Sequence, residues 1–200
     1  MISTCIITNR LDDKLQRAIN SVVGLGEVIV VDTQGQPGNM GLGDYYTYPW
    51  RDDFAAARNF ALEKARGNFI LSLDSDEWID ESSRHALMEI AHTRADRAFW
   101  TTLRDWNGTS WTTLSQVKIF PNRSDIRFYG RIHEQITPSL YAVGIPIVPS
   151  RVIIYHDGYA DKTTLQAKRM RNRQIASDWV MDEPGNEWAR FWKDYIERYQ

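Results

Sequence analysis

The chain has one cysteine, Cys5, in 200 residues. That excludes an intramolecular disulfide and a cysteine zinc site, and it fits a reducing compartment. No stretch approaches the ~18 apolar residues of a membrane span, so no integral membrane segment is expected. The first residues lack a basic region followed by an apolar core and a cleavage site, so no signal peptide is expected. Charge of one sign is lacking as well. The formal net charge is −2, which provides no basic field and excludes nucleic acid as an implied partner. These absences predict a cytoplasmic protein. There is no internal repeat and no low-complexity segment. What remains suits one domain, with room for a small appendage. Hydrophobic residues make up 42% of the chain, enough for a real core, and eight Trp and nine Tyr add aromatic surface of the kind that lines sugar and base sites.

Residues 2–8 are a β-branched run that predicts a first strand. Leu11, Leu15, Ala18, Ile19 and Val22 then recur at helical spacing, with Gly24 and Gly26 as the stop. Residues 27–33 predict a second buried strand ending at Asp32-Thr33. Strand, helix, strand in so short a span is a βαβ unit, so the sheet begins parallel. Residues 34–43 read as a Gly-rich loop and residues 44–50 as a short aromatic strand. Asp52 or Asp53 caps a helix running to about Arg66, with Gly67 as its stop. Residues 69–73 form a buried strand that runs into Asp74-Ser75-Asp76-Glu77. A helix over residues 81–92 follows, and Asp76, Glu77 and Asp80 favour its start. Residues 98–104 and 111–120 read as strands joined by a turn at Asn107-Gly108. Residues 126–136 read as another extended stretch, and residues 145–154, with Pro146 and Pro149, as an edge strand. This half reads as antiparallel. Two helices close the chain. The first carries Lys168, Arg169, Arg171 and Arg173, read as a solvated face with a membrane-surface contact as the minor alternative. The second carries the stripe Trp188, Phe191, Trp192, Tyr195, Ile196 and Tyr199, read as core packing, with a missing domain or a partner as the alternative it would pack on.

In open α/β sheets, ligands bind outside the carboxyl ends of the strands. The parallel half delivers Thr8-Asn9, Asp32 and Asp74/Asp76 to one such edge. Two carboxylates two residues apart suit a hard cation that also takes substrate phosphates, which points to a metal–nucleotide site. Asp32 either accepts from a base or ribose or caps its own turn. Arg58 either reaches a diphosphate or is a solvated helix charge.

Trp50-Arg51-Asp52-Asp53-Phe54-Ala55-Ala56-Ala57-Arg58-Asn59, followed by Leu71-Ser72-Leu73-Asp74-Ser75-Asp76-Glu77, closely resembles family 2 glycosyltransferases with the GT-A fold. Val30-Val31-Asp32-Thr33 resembles the strand that contacts the base in that family. Phe128-Tyr129-Gly130-Arg131-Ile132-His133-Glu134-Gln135 and His156-Asp157-Gly158-Tyr159 resemble later segments of one bacterial and viral subgroup. Two positions depart from the pattern: Arg10 stands where an acidic residue is common, and Gln34-Gly35-Gln36-Pro37-Gly38 replaces a Gly-Ser-x-Asp loop.

The resemblance implies a GT-A, Rossmann-like mixed α/β sheet over residues 1–160. A helical extension over residues 161–200 would pack on it, with a further domain of a longer protein as an open reading. It implies an inverting, metal-dependent hexosyl- or deoxyhexosyltransferase that uses a nucleoside diphosphate sugar, a UDP-sugar first. The acceptor would be a hydroxyl of a glycan, a lipid-linked compound or a protein. Thr8, Asn9, Asp32, Arg58, Asp74, Ser75 and Asp76 would bind the donor. Asp74, Asp76 and His156 would hold the metal, Mn²⁺ in preference to Mg²⁺ because imidazole suits it better. Glu134 would be the base that deprotonates the acceptor, with Asp157 and Asp105 as fallbacks. Lys118, Arg127 and Arg131 would either line the phosphate side or be surface charges. The alternatives are a sugar nucleotidyltransferase and a non-catalytic nucleotide- or glycan-binding module of a longer protein.

Overall fold

The computed structural model describes residues 1–35, 41–157 and 162–199. Part of the expected Gly-rich loop, and Gly158-Tyr159, lie outside them. Among the described residues, eight strands form one sheet in the order β3-β2-β1-β4-β7-β6-β8-β5. They are β1 (Ile2–Thr8), β2 (Gly26–Asp32), β3 (Asp44–Thr47), β4 (Phe69–Asp74), β5 (Glu77–Ile79), β6 (Ala98–Trp106), β7 (Trp111–Pro121) and β8 (Ile147–His156). The helices are α1 (Asp13–Val22), α2 (Phe54–Lys64), α3 (Glu81–Ala91), α4 (Thr137–Ala142), α5 (Lys162–Asp182) and α6 (Glu187–Tyr199).

Strand alternation divides the core. Ile2, Ile6, Val28, Val30, Phe69, Leu71 and Leu73 face α1 and α3. Cys5, Ile7, Ile29, Val31 and Ile70 face α2 and α4. Ser72 and Asp74 continue the α2-facing row, so the pleat itself aims them at Arg58. β1 pairs in parallel with β2 and β4, and the register sets Thr8 opposite Asp32 and Ile7 opposite Asp74. Three strand ends are thereby level at one edge of the sheet.

Helix starts follow local chemistry. Asp12, Asp53 and Asp80 each accept a backbone N–H of the first turn of α1, α2 and α3. The cap of α2 is thus Asp53, while Asp52 takes a φ of 53°. α2 stops at Lys64, and Gly67 is needed for a different reason from the one expected. A Cβ there would lie 2.6 Å from Ser3 Oγ.

Four expectations need correction. Glu77 does not start a helix: with Trp78 and Ile79 it forms β5, paired antiparallel with β8. Residues 126–136 are not a strand. They hold only the bridge Tyr129 to Gln135, because Gly130 (φ 105°) and His133 (φ 51°) turn the backbone aside. β8 is at the edge over part of its length only, since β5 covers Ile154–His156 and, among the described residues, leaves the stretch with Pro149 paired to β6 alone. It also runs parallel to β6, inside a half that reads as antiparallel.

The C-terminal helices form a third core. Ile175, Ala176, Trp179, Ala189 and Ile196 pack around Ile132, with Trp50 and Phe54 alongside. Gly130 lies under both tryptophans, where a Cβ would meet Trp188 Nε1 at 3.2 Å and Trp179 Cη2 at 3.4 Å. The aromatic stripe of α6 splits into two rows. Trp188, Trp192 and Ile196 turn inward, while Phe191 and Tyr199 are 55% and 69% exposed. Trp179 is 1% exposed, so Trp179→Ala should cost about 3–5 kcal/mol of stability. Urea unfolding measures this, and a loss below about 1 kcal/mol would mean that other contacts hold the helices.

Candidate active site at the carboxyl edge of the sheet

Arg58 sits in the Ala-rich stretch of α2, one turn before Ala61 and Leu62. It is 8% exposed. Its Nη2 donates to Asp74 Oδ1 and its Nε to Glu134 Oε1, both at 2.5 Å, and Nη1 reaches Ser72 Oγ at 3.2 Å. One guanidinium therefore ties the end of β4 to the 131–135 segment. The solvated-charge reading of Arg58 is wrong. Burial opposes its charge, but Asp74 and Glu134 outweigh burial and hold its pKa above the ordinary value. In return, Arg58 and Lys118 overcome burial at Asp74 and hold that carboxyl well below its usual range.

Lys118 arrives by an irregularity in β7. Phe99 pairs with Ile119 and Trp100 with Val117, so Lys118 is the extra residue of a bulge. Bulges re-aim side chains, and this one sends Lys118 Nζ to Glu77 at 3.0 and 2.9 Å and to Asp74 at 3.6 Å. Despite burial, Asp74 and Glu77 hold the Lys118 pKa above its ordinary value. Glu77 also accepts the Asp74 N–H at 2.9 Å, which fixes the start of the turn. Lys118 is therefore no surface charge. Arg131 instead ties the core to the C-terminal helices, through Asp182 at 2.7 Å and Glu183 at 3.6 Å. Arg127 donates to the carbonyls of Arg123 and Ile126.

Ser75 and Asp76 form the turn after β4, where the alternation ends. Asp76 consequently faces elsewhere than Asp74. Its Oδ1 is 3.4 Å from His156 Nε2, and its Oδ2 is 3.4 Å from Lys168 Nζ on α5. His156 ends β8, opposite Glu77 of β5 and Asp105 of β6. Asp105 Oδ1 lies 2.8 Å from His156 Nδ1. Burial works against the imidazolium, yet Asp76, Glu77 and Asp105 raise the His156 pKa to about 9. Burial raises Asp76, but the His156 hydrogen bond and charge, with Lys168, bring it down to about 2.

The remaining expected residues are placed as follows. Asp32 is buried and its Oδ1 accepts the Gln34 N–H at 2.8 Å, so it does cap its own turn. Thr8 Oγ1 donates to the Arg10 carbonyl at 2.7 Å, and Asn9 is exposed beside it. Of the fallback bases, Asp157 is held by Lys14 and Arg17 and Asp105 by His156.

Among the described residues, no three His, Cys, Asp or Glu side chains gather as a metal-ligand set. Asp76 and His156 do fit two places in such a set. Their donor atoms face each other, and Asp105 at Nδ1 leaves Nε2 for coordination, the usual outer-sphere arrangement. Asp74 is turned instead toward Arg58 and Lys118. Sequence reasoning treated Lys118 and Lys168 as peripheral. Nothing local marks Lys118, whereas Lys168 shares a helical face with Ile175 and Trp179, a signal present in the sequence.

Known proteins share this architecture. S. aureus TarS 1-349, solved in complex with UDP-GlcNAc, superimposes with a TM-score of 0.60 at 19% identity over 98% of this chain and 70% of that one. A TPR repeat-containing protein of Synechococcus elongatus is 30% identical over 92% of this chain and 49% of its own length. The SPbeta prophage-derived glycosyltransferase SunS of Bacillus subtilis is 23% identical over 94% of this chain and 47% of its own. The chain thus spans about half the length of these curated relatives. The family model described as glycosyl transferase family 2 matches residues 43–145, just over half the chain, a span that takes in Arg58, Asp74, Asp76, Lys118 and Glu134. The chain belongs to glycosyl transferase family 2.

Proposed function

We propose that this chain transfers a sugar, a hexose or deoxyhexose, from a UDP-sugar to a hydroxyl acceptor with inversion. The acceptor hydroxyl belongs to a glycan, a lipid-linked compound or a protein. The observation that carries the reading is the Arg58 bridge, which sets Glu134 against Asp74 at the level edge formed by Thr8, Asp32 and Asp74. The UDP-GlcNAc bound to TarS supports the choice of nucleotide.

Glu134 accepts the acceptor's hydroxyl proton. Arg58 fixes one of its oxygens and thereby the position of the other. The hydroxyl oxygen bonds to the anomeric carbon while that carbon's bond to the diphosphate oxygen breaks, and the electron pair leaves with UDP. Asp76 and His156 are the residues that would hold a divalent ion, Mn²⁺ in preference to Mg²⁺. Such an ion supplies neutralisation of the diphosphate charge when bound. Asp74, kept ionised by Arg58 and Lys118, would accept from the ribose hydroxyls.

A thermal-shift panel of nucleotides and nucleotide sugars, with and without Mn²⁺, tests the reading. UDP should raise the melting temperature with Mn²⁺ present, as ligand linkage requires, and UDP-sugar with Mn²⁺ should slowly release UDP. A panel in which no nucleotide shifts the transition would refute it. Asp76→Ala should weaken UDP binding in Mn²⁺ by about 10-fold or more, the scale of one lost charged contact. If calorimetry finds metal-dependent binding intact in that variant, Asp76 is not a metal ligand.

A further inference from the structure

We propose that a cavity on the outer side of α2 binds a neutral pyranose of a glycan, apart from the donor edge. The cavity has a volume of about 450 Å³ and lies between the loop before α2, residues 128–131 and the end of α5. Its size is that of a small-molecule site.

Helical geometry puts the cavity behind the Arg58 bridge. Arg58 turns toward the sheet, while Ala55, Ala56 and Asn59 of the same helix line the cavity. Asp74, Asp76, Glu134 and His156 lie outside its lining. The Phe128 ring stands between the two sites: it borders the cavity, and the Arg58 guanidinium sits 5.5 Å from its centroid.

The walls are fixed before a ligand arrives. Asn59 donates to the Phe128 carbonyl at 2.9 Å and accepts the Phe128 N–H at 2.8 Å. Arg131 ties the same segment to Asp182, at the end of α5, at 2.7 Å. Asn186 Nδ2 donates to the Tyr129 hydroxyl at 2.8 Å. A preformed cavity loses little binding energy to ordering.

The lining selects the ligand. Tyr48, Phe128, Tyr129 and Trp179 supply aromatic surface, and Tyr129 is 46% exposed. The C–H face of a pyranose packs on such a ring, whose π face is negative. Arg51 and Arg131 are balanced by Asp53 and Glu183, so an anion gains no net attraction here. These side chains offer donors and acceptors together, which fits hydroxyls that do both. Arg51 is exposed and, among the described residues, makes no hydrogen bond or ion pair. Its guanidinium donors are open to the sugar.

Saturation-transfer NMR with methyl glycosides of glucose, galactose, mannose and N-acetylglucosamine, without UDP or metal, tests the proposal. Native protein should bind at least one of them, and glucuronate should bind no more tightly than methyl glucoside. Arg51→Ala should weaken the bound glycoside about 10- to 100-fold, the range for one charged hydrogen bond. Tyr129→Ala should weaken it about 2- to 10-fold, and Tyr129→Phe, which keeps the ring, should stay within about twofold. Each variant is checked for an unchanged melting temperature, and a loss in either alanine variant places the sugar in this cavity. No glycoside bound, native affinity in both alanine variants, or a preference for glucuronate above about tenfold would overturn the assignment. The site does not need the transfer reading. Glycoside binding in a chain that binds no UDP keeps this site and refutes the transfer, whereas UDP binding without glycoside binding refutes this site alone.

Discussion

Arg58→Met should lower the stability of the chain by about 3–5 kcal/mol, the range for breaking a buried ion pair from one side. For a domain of this size that is a drop in melting temperature of about 6–20 °C. The size follows from what remains. Asp74 and Glu134 would both lose a 2.5 Å partner, and Ser72 Oγ would lose its donor. Lys118, 3.6 Å from Asp74, compensates in part. Arg58→Lys should fall between, since one ammonium does not reproduce a fork that serves two carboxylates. The pH dependence has a definite sign. Asp74 has a depressed pKa in the native chain, so its contribution is present above the unfolded carboxyl value near 3.9 and fades as pH falls toward the folded value. The deficit of Arg58→Met should therefore be largest near neutrality and shrink in acid. Urea unfolding at two pH values measures this, and a deficit under about 1 kcal/mol at neutral pH would mean that the bridge contributes little net stability.

Glu134→Gln should reduce UDP release in the presence of acceptor by about 10²- to 10⁴-fold, the usual contribution of a general base. UDP affinity should stay within about threefold, because the glutamine carbonyl still accepts from Arg58 Nε and the donor side is undisturbed. This separation of turnover from donor binding identifies a base. If turnover survives, attention shifts to Asp105 and Asp157, although each is already engaged by cationic partners. If UDP affinity collapses too, Glu134 holds the site together through Arg58 and another group takes the proton.

Much of the fold is legible from the residues. The β-branched runs place β1 and β2 to within a residue, and the helical spacing from Leu11 to Val22 places α1, which starts two residues later, at Asp13. The aspartate caps work because capping is local. What escapes reading depends on partners far along the chain. Glu77-Trp78-Ile79 is too short to announce a strand, and a carboxylate just before the Asp80 cap imitates a helix start. Its burial is explained by the Asp74 N–H and by Lys118, which a bulge in β7 delivers. The 126–136 segment has strand composition, but two residues with positive φ break it. Arg58 is the instructive case. A single arginine on a helix is usually solvated, yet this one is flanked by Ala57, Ala61 and Leu62 on the buried side of α2. A charge inside an apolar stripe calls for an ion-pair partner, and that much the sequence could have told.

The order of the strands also sets how much open edge the sheet presents. It ends on β3, four residues long, at one side and on β5, three residues long, at the other. Edges this short offer little template for a foreign strand. The part of β8 that runs on past β5 is guarded too: Ser83 of α3 bonds both the N–H and the carbonyl of Ile153, and Pro149 has no N–H to offer. Short end strands, a helix contact and a proline thus leave little free strand edge among the described residues, in a sheet that does not close into a barrel.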